Sequence, residues 1–350
     1  MSATSTAAST GTGTGVIPAP VGVTPDLDSP EKHYYTANLV VVTIGVTIST
    51  LGLLLRLYTR VVIVRKWLLD DVVIVLSWIF AVLTQSLLLW GYINAGLGVH
   101  EWDLTSTVYN RTVRVLLLGA IMYIPALGLS KISLIILYYR LSDMQRKWRI
   151  TLWGMTAFVV AYMIVLECLF LFTCEPVHKS WYPDIDGRCW SKAPIFMAGV
   201  VASMFIDLVL LVMPLPIVLK LQMTSKKRFG LILMFGLGGL SLVTSTLRLA
   251  ATVPMLTQQD QTYLLGGVAL WINVEASLVI VTACVPSFRQ VLRFHAFGWR
   301  SDSGGRLDRM SSTCNLRSVQ RRQEGFTNLS FDLEMDQTDS RGHDSAGART

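Results

Sequence analysis

Apolar residues in this chain run in blocks too long for a water-soluble fold. His33 to Leu55 is 23 residues without Asp, Glu, Lys or Arg, and Val72 to His100 is 29. Five more apolar stretches follow near 115–139, 150–173, 193–219, 229–253 and 264–286. Each carries one internal ionisable residue, in order Lys131, Glu167, Asp207, Arg248 and Glu275. A helix crossing a hydrocarbon core of ~30 Å needs about 20 mostly apolar residues, so seven spans are predicted. The runs are too long for barrel strands and lack their period-two alternation. The expected fold is all-α, a polytopic membrane protein with a seven-transmembrane helix bundle. Pro176 follows span four and Pro194 opens span five, while Pro254 and Pro286 are expected to close spans six and seven. Pro125, Pro214 and Pro216 fall inside spans, where neighbouring helices can satisfy the carbonyls that proline frees.

Composition agrees with the pattern. Of 350 residues, 52% are hydrophobic and 15% charged, and mean hydropathy is +0.50; a soluble domain carries about 25% charged residues. A soluble globular enzyme is excluded. Loop Lys and Arg set the orientation. Arg56 to Lys66, Arg140 to Arg149 and Lys220 to Arg228 hold twelve between them, whereas the loops at the other end hold six. The N-terminus is therefore expected outside and the C-terminus inside. A net charge of +7 is explained by these span-flanking residues, and no nucleic-acid partner is expected, because no span-free basic domain exists to grip a duplex.

Three regions follow: 1–33, an extracellular segment; 34–290, the bundle; and 291–350, a cytoplasmic tail. The first thirty residues are rich in Ser, Thr, Ala, Gly and Pro without Lys or Arg, a composition that favours disorder. They lack the basic start and apolar core of a cleaved signal, so span one is expected to insert the chain. After span seven, Phe288, Val291, Leu292, Phe294 and Phe297 alternate with Arg289, Arg293 and Arg300, the pattern of an amphipathic helix on the inner leaflet. The rest of the tail is polar and is expected to be disordered, with Ser and Thr open to phosphorylation.

Cys174 and Cys189 share one loop on the oxidising side and are predicted to form a disulfide that pins Glu175 to Arg188 as a lid over the outer mouth of the bundle. Trp181, Tyr182 and Trp190 would be its interfacial aromatics. Cys168 and Cys284 lie within spans, and Cys314 in the tail. Asn110-Arg111-Thr112 is an outer-side sequon, a candidate glycosylation site. Asn328 heads a second sequon on the cytoplasmic side, expected to stay unmodified.

Charges inside a bilayer are costly and face each other or a cavity. Lys131, Asp207, Arg248, Glu275 and Glu167 are therefore a candidate intramembrane polar site, either an ion-pair network fixing helix packing or a pocket opening outward to a small polar or amphiphilic ligand. Asp70 and Asp71 begin span two, where a helix N-terminus favours carboxylates; capping plus pairing to Arg56 or Arg60 is expected. His100, Glu101 and Asp103 follow Gly96 and Gly98 and read as a hydrated loop. No Ser–His–Asp set, metal motif or phosphate loop is evident, so no catalytic, cofactor-binding or metal residue is assigned and no cofactor is expected.

In chain order these pieces form a pattern. Arg56-Leu57-Tyr58-Thr59-Arg60 precedes Trp67 and Asp70-Asp71, then come Gly96-Leu97-Gly98-Val99-His100, Lys131-Ile132-Ser133 and Tyr138-Tyr139-Arg140-Leu141. Cys174-Glu175-Pro176, Trp181 and Cys189-Trp190 follow, then Asp207 with Pro214-Leu215-Pro216, Lys226-Lys227, Arg248, Trp271 to Glu275 and Cys284-Val285-Pro286-Ser287-Phe288-Arg289. The chain resembles the fungal rhodopsin-domain integral membrane proteins from about 45 to 290. That group includes receptor-like proteins of plant-pathogenic fungi and membrane proteins encoded in mycotoxin gene clusters such as that for satratoxin. The resemblance makes Arg56, Tyr58, Arg60, Asp70 and Asp71 an inner-face family motif. Retinal is not implied, since residues 264–286 contain no Lys for a Schiff base.

Two functions are expected from span count, lid and resemblance. One is a receptor-like protein sensing a small extracellular ligand and shifting its conformational population toward a cytoplasmic signalling partner. The alternative is an accessory membrane protein of a secondary-metabolite gene cluster, acting as enzyme, transporter or organiser. Membrane lipids are partners in either case. The resemblance favours the plasma membrane, with an internal membrane as the alternative.

Overall fold

The computed structural model describes residues 15–20, 22–27, 30–65, 68–141, 146–182, 185–213 and 225–302, with backbone only at 63–64, 140–141, 147, 225–234, 286 and 288–302. Asp143, Pro214, Pro216, Lys220, Cys314, Asn328 and the tail from 303 lie outside them, as do the side chains of Arg140, Lys226, Lys227 and Arg228. Seven α-helices occur among the described residues: α1 (Tyr35–Tyr58), α2 (Leu69–Asn94), α3 (Ser106–Leu141), α4 (Arg146–Leu171), α5 (Lys192–Val212), α6 (Ser225–Thr252) and α7 (Gln261–Asp302). All seven are long and apolar enough to cross a membrane. The chain divides into two units, Met1–Val291 and Leu292–Thr350; of the second, only the last turns of α7 are described.

Burial sorts the helices into inner and outer. The spans of α3 and α7 are 67% buried over their apolar cores, against 17–33% for the other five. The outer helices present large apolar side chains outward, among them Ile44, Leu51, Leu83, Ile164 and Phe205. That inversion suits hydrocarbon as solvent, where interiors are held by close packing and polar contacts rather than by hydrophobic burial. Close approach is supplied by small residues. A side chain at Gly266 would meet the Cα of Gly98 at 2.6 Å, and Gly98 itself has φ +79° with the His33 carbonyl 2.7 Å from where its Cβ would lie. Only glycine accepts both that conformation and that crowding.

One expectation about an element end needs correction. Pro286 directly follows the membrane-length stretch Gln261–Val285, but the helix does not stop there: α7 runs on through Pro286 to Asp302. The likeness to Pro125 inside α3 gives the reason: a membrane helix survives a proline when a neighbour occupies the loosened carbonyls. Pro286 withholds the N–H that would have met the Thr282 carbonyl; next to it, a guanidinium N–H of Arg56 reaches the Ala283 carbonyl. Pro254 does mark the end of α6, within a 3₁₀ turn (Val253–Leu256).

At the end of the bundle where α4 meets α5, Cys174–Glu175 (β1) pairs antiparallel with Arg188–Cys189 (β2), Cys174 opposite Cys189. Those two cysteines are disulfide-bonded. Part of the segment expected to be disordered lies at the same end: the Val16 amide donates to the Leu104 carbonyl at 3.2 Å and the Asp26 amide to Asp103 at 3.0 Å.

Candidate functional site

The five intramembrane ionisable residues separate into four that meet and one that does not. Lys131 on α3 points its ammonium at Asp207 on α5, Nζ to Oδ1 2.9 Å, and also donates to the Ser203 hydroxyl at 2.8 Å and carbonyl at 3.0 Å. From α6, the Ser245 hydroxyl stands 2.8 Å from Asp207 Oδ2 and 3.1 Å from Glu275 Oε1. Its single proton can serve only one carboxylate at a time. Glu275 on α7 in turn faces Arg248 on α6, Oε2 to Nε 3.0 Å. This last contact is an ion pair without hydrogen-bond alignment, since neither atom has a hydrogen-bond partner. The Arg248 guanidinium lies 5.5 Å from the centre of the Tyr123 ring, within cation–π range. All four charged residues are buried, and their formal charges cancel. Glu167, half-buried on α4, makes no hydrogen bond or ion pair among the described residues and is not part of this network.

A second ionic group forms at the opposite end from the disulfide. Arg56 and Arg60, one helical turn apart, both grip the carboxylates that open α2. Arg56 reaches Asp70 at 2.7 Å and Asp71 at 3.0 Å, and Arg60 reaches both at 3.1 Å. The expected pairing of Asp70 and Asp71 to Arg56 or Arg60 is thus a pairing to both. Ser133 of α3 donates to the Asp70 carbonyl at 3.2 Å, and Arg56 to Ala283 of α7, so four helices converge on this quartet. Tyr58 is 43% exposed and stands outside it.

Between the disulfide and the Lys131–Arg248 network lies a cavity of about 470 Å³, in the range of pockets that hold small organic ligands. Its wall is mainly apolar, with Leu116, Leu117, Phe170, Phe196 and Leu265 prominent, and Cys174, Cys189 and Trp190 at the mouth. Tyr123 lines both this cavity and a smaller one that reaches Lys131, Ser203 and Arg248. The Tyr123 hydroxyl is buried without a hydrogen-bond partner.

The rim beside the cavity is stapled rather than hydrated. Glu101, only 5% exposed, accepts the Gln261 and Thr262 amides that begin α7, at 3.0 and 3.2 Å. Burial raises its carboxyl above the ordinary range, and the Asp260 charge adds to this against those two amides. His100 meets Asp260 at 2.5 Å and stacks between Trp102 and Tyr263, centroids 4.3 and 4.1 Å away. The hydrated-loop expectation for His100 and Glu101 is corrected, because their partners lie about 160 positions along the chain. Arg114 on α3 sits 5.0 Å from the ring of Tyr182, tying the disulfide loop to the bundle. Asn110 falls within the second turn of α3, and the Thr112 of its sequon is buried, accepting from the Gly96 amide.

Sequence reasoning missed Ser203, Ser245 and Tyr123. A signal for one existed. Ser241, Thr244, Ser245, Arg248 and Thr252 fall at helical spacing along α6 and are all buried, the polar stripe expected of a membrane helix facing partners.

Comparison with characterised proteins gives a consistent pattern. The chain is 28% identical over 284 residues to fugralins biosynthesis cluster protein 2 of Gibberella zeae, spanning 78% of this chain and 69% of that protein. It is 25% identical over 278 residues to polyenoic acids biosynthesis gene cluster protein Ba17b of Metarhizium anisopliae, 75% of each. Receptor GIN3 of Arthrobotrys oligospora matches at 24% over 197 residues, 56% of this chain and 47% of that one. Residues 55–294 match the fungal rhodopsin domain, and this stretch holds the Arg56–Asp71 quartet, the Lys131–Arg248 network and the cavity between α3, α5 and α7. With seven membrane-length helices carrying that domain, the chain belongs to the fungal rhodopsin domain family as a multi-pass membrane protein.

Proposed function

We propose that this is a receptor-like seven-helix protein that captures a small molecule in the cavity beneath the disulfide loop, with that end outside and the Arg56–Asp71 end facing the cytoplasm. One observation carries the reading: Tyr123, with an unpartnered buried hydroxyl, lines the cavity while its ring meets Arg248 of the ion-pair network. A ligand accepting from Tyr123 would act on a residue coupled to α3, α5, α6 and α7 together. Population shift requires such differential contact between ligand and bundle. The receptor named among the relatives supports this, and twelve Lys or Arg at the opposite loops support the orientation. The family resemblance favours the plasma membrane as its site, with an internal membrane as the alternative.

A second reading places the same cavity in an accessory membrane protein of a secondary-metabolite gene cluster, acting as enzyme, transporter or organiser. It is favoured by relatives named for fugralins and polyenoic acids biosynthesis clusters.

Deleting the gene in its host, with metabolites and pathway transcripts measured in the same cultures, separates the two. Lost transcripts with the lost product, or a blunted response to nutrient or surface cues, supports the receptor. A lost product with normal transcripts defeats it. Orientation is checked by placing a sequon in the disulfide loop, Asp186→Asn with Arg188→Thr, and looking for a glycosidase-sensitive mass. Its absence, with a glycan on a matching sequon at the other end, would reverse the topology. Removal of any native glycan at Asn110 in the same gel tests that site.

A further inference from the structure

The cavity's charges are arranged asymmetrically, and this bears on what it holds. Two ammonium groups, Lys179 and Lys192, line it, against one carboxylate, Glu101. That carboxylate is already turned onto the first amides of α7. Lys179 donates to the Gly187 carbonyl at 2.8 Å and keeps two further protons. Lys192 makes no hydrogen bond or ion pair among the described residues. It is also the first residue of α5, whose N-cap, Ser191, provides no side-chain cap, and Ser191, Lys192 and Ala193 all line the cavity. A free ammonium and the uncapped positive end of a 21-residue helix therefore share one corner of an otherwise apolar chamber. Such a helix end is a ready site for a carboxylate.

From this we infer that the cavity takes an anionic amphiphile, a mostly hydrocarbon molecule whose carboxylate is held by Lys192 and the start of α5, with Lys179 as a second cation at the mouth. The inference rests on reading the cavity as the ligand site and names the class of ligand. The hydrocarbon body lies along Leu116, Leu117, Phe170, Phe196 and Leu265, and a polar oxygen near its far end would accept from the Tyr123 hydroxyl at the floor. A neutral or cationic ligand would leave the Lys192 ammonium unpaired in a site from which the ligand has displaced water, a costly arrangement.

The test uses the full chain in nanodiscs of neutral phosphatidylcholine and a long-chain fatty acid bearing a diazirine and an alkyne, compared with its methyl ester. The acid is expected to label peptides of α3, α5 and α7 at a concentration at least about tenfold lower than the ester, the scale of a charge-assisted contact. Lys192→Gln is expected to bring the acid to the ester's level and leave the ester unchanged. Ala120→Trp and Val113→Trp, which fill the chamber, are expected to abolish labelling by both, with thermal unfolding confirming that each variant folds. Acid supplied in water and acid premixed into the nanodisc lipid distinguish an extracellular solute from a bilayer lipid; labelling by either route supports the inference. Equal labelling by acid and ester, or a Lys192→Gln variant that keeps the difference, overturns the anionic class. If the ester is still blocked by the two Trp variants, the cavity reading survives that failure. Labelling indifferent to both Trp variants overturns the cavity reading as well.

Discussion

Arg56 and Asp71 meet with Nε 3.0 Å from Oδ1, both side chains no more than 1% exposed. Their contact joins the end of α1 to the start of α2, while another N–H of the same guanidinium reaches Ala283 beside the proline of α7. One planar, five-donor group thus serves three helices, which a lysine ammonium cannot do with the same geometry.

Replacing one member of that quartet leaves a buried charge without its partner. Asp71→Asn or Arg56→Gln is expected to lower stability by about 3–5 kcal/mol, read as a fall in the unfolding midpoint in mild detergent. Arg56→Lys should recover only a minor part. A Lys variant as stable as the parent would show that charge alone, not the forked geometry, holds the three helices.

Lys131 and Asp207 allow a double-mutant cycle. Lys131→Met strands Asp207 opposite an apolar side chain, although Ser245 still donates to it. Adding Asp207→Asn removes the stranded charge and keeps an acceptor for Ser245, so the double variant should regain much of the single variant's loss, as coupled neighbours do. Simple additivity of the two losses would argue against a direct pair. A ligand response that vanishes in the double variant while folded yield is restored would tie the network to signalling as well as packing.

The sequence disclosed some of these relationships and hid others for physical reasons. Uninterrupted apolar length is a property of the chain itself, so the seven spans and the proximity of Arg56 and Arg60 to Asp70 and Asp71, a few turns apart, were legible. Which buried charge meets which depends on how each helix is rotated about its axis. Hence Lys131 with Asp207, Glu275 with Arg248, and the exclusion of Glu167, emerge only from the fold. The cavity was hidden more thoroughly. Its walls are ordinary apolar residues such as Leu116, Phe170 and Phe196, and a void is made by what several helices fail to fill. That α7 runs on past Pro286 was not legible, because a local rule for helix ends ignores what neighbouring helices offer a proline's loosened carbonyls. Glu101 was misread because its amide partners sit about 160 residues away.

Glu101 also makes stability depend on pH. Its folded-state carboxyl titrates above the ordinary value of 4.5, chiefly because it is buried. The unfolded chain therefore gives up this proton first as pH rises. Stability from this group is present below about pH 4.5 and is lost upward from there until the folded carboxyl has also ionised. Glu101→Gln keeps an oxygen for the Gln261 and Thr262 amides and removes the titration. Unfolding midpoints from pH 4 to 7 should therefore show the parent falling relative to the Gln variant. Parallel curves would mean that the two amides fully offset the burial.

The disulfide is expected to control both the mouth of the cavity and the stability of its roof. Cys174 and Cys189 are 15 positions apart, and a link of that length restricts the unfolded chain by about 3 kcal/mol in the chain-entropy account. The β1–β2 pairing it supports spans only two residues on each strand, too little to hold the loop alone. In Cys174→Ser with Cys189→Ser, the segment from Pro176 to Gly187 should be cut faster by protease, while the buried core of α3 and α7 stays resistant. Labelling by the fatty-acid probe should shift from peptides of α3, α5 and α7 toward peptides of the loop. Equal cleavage rates in the parent and the variant would mean that contacts such as Arg114 with Tyr182, and not the covalent link, keep the roof in place.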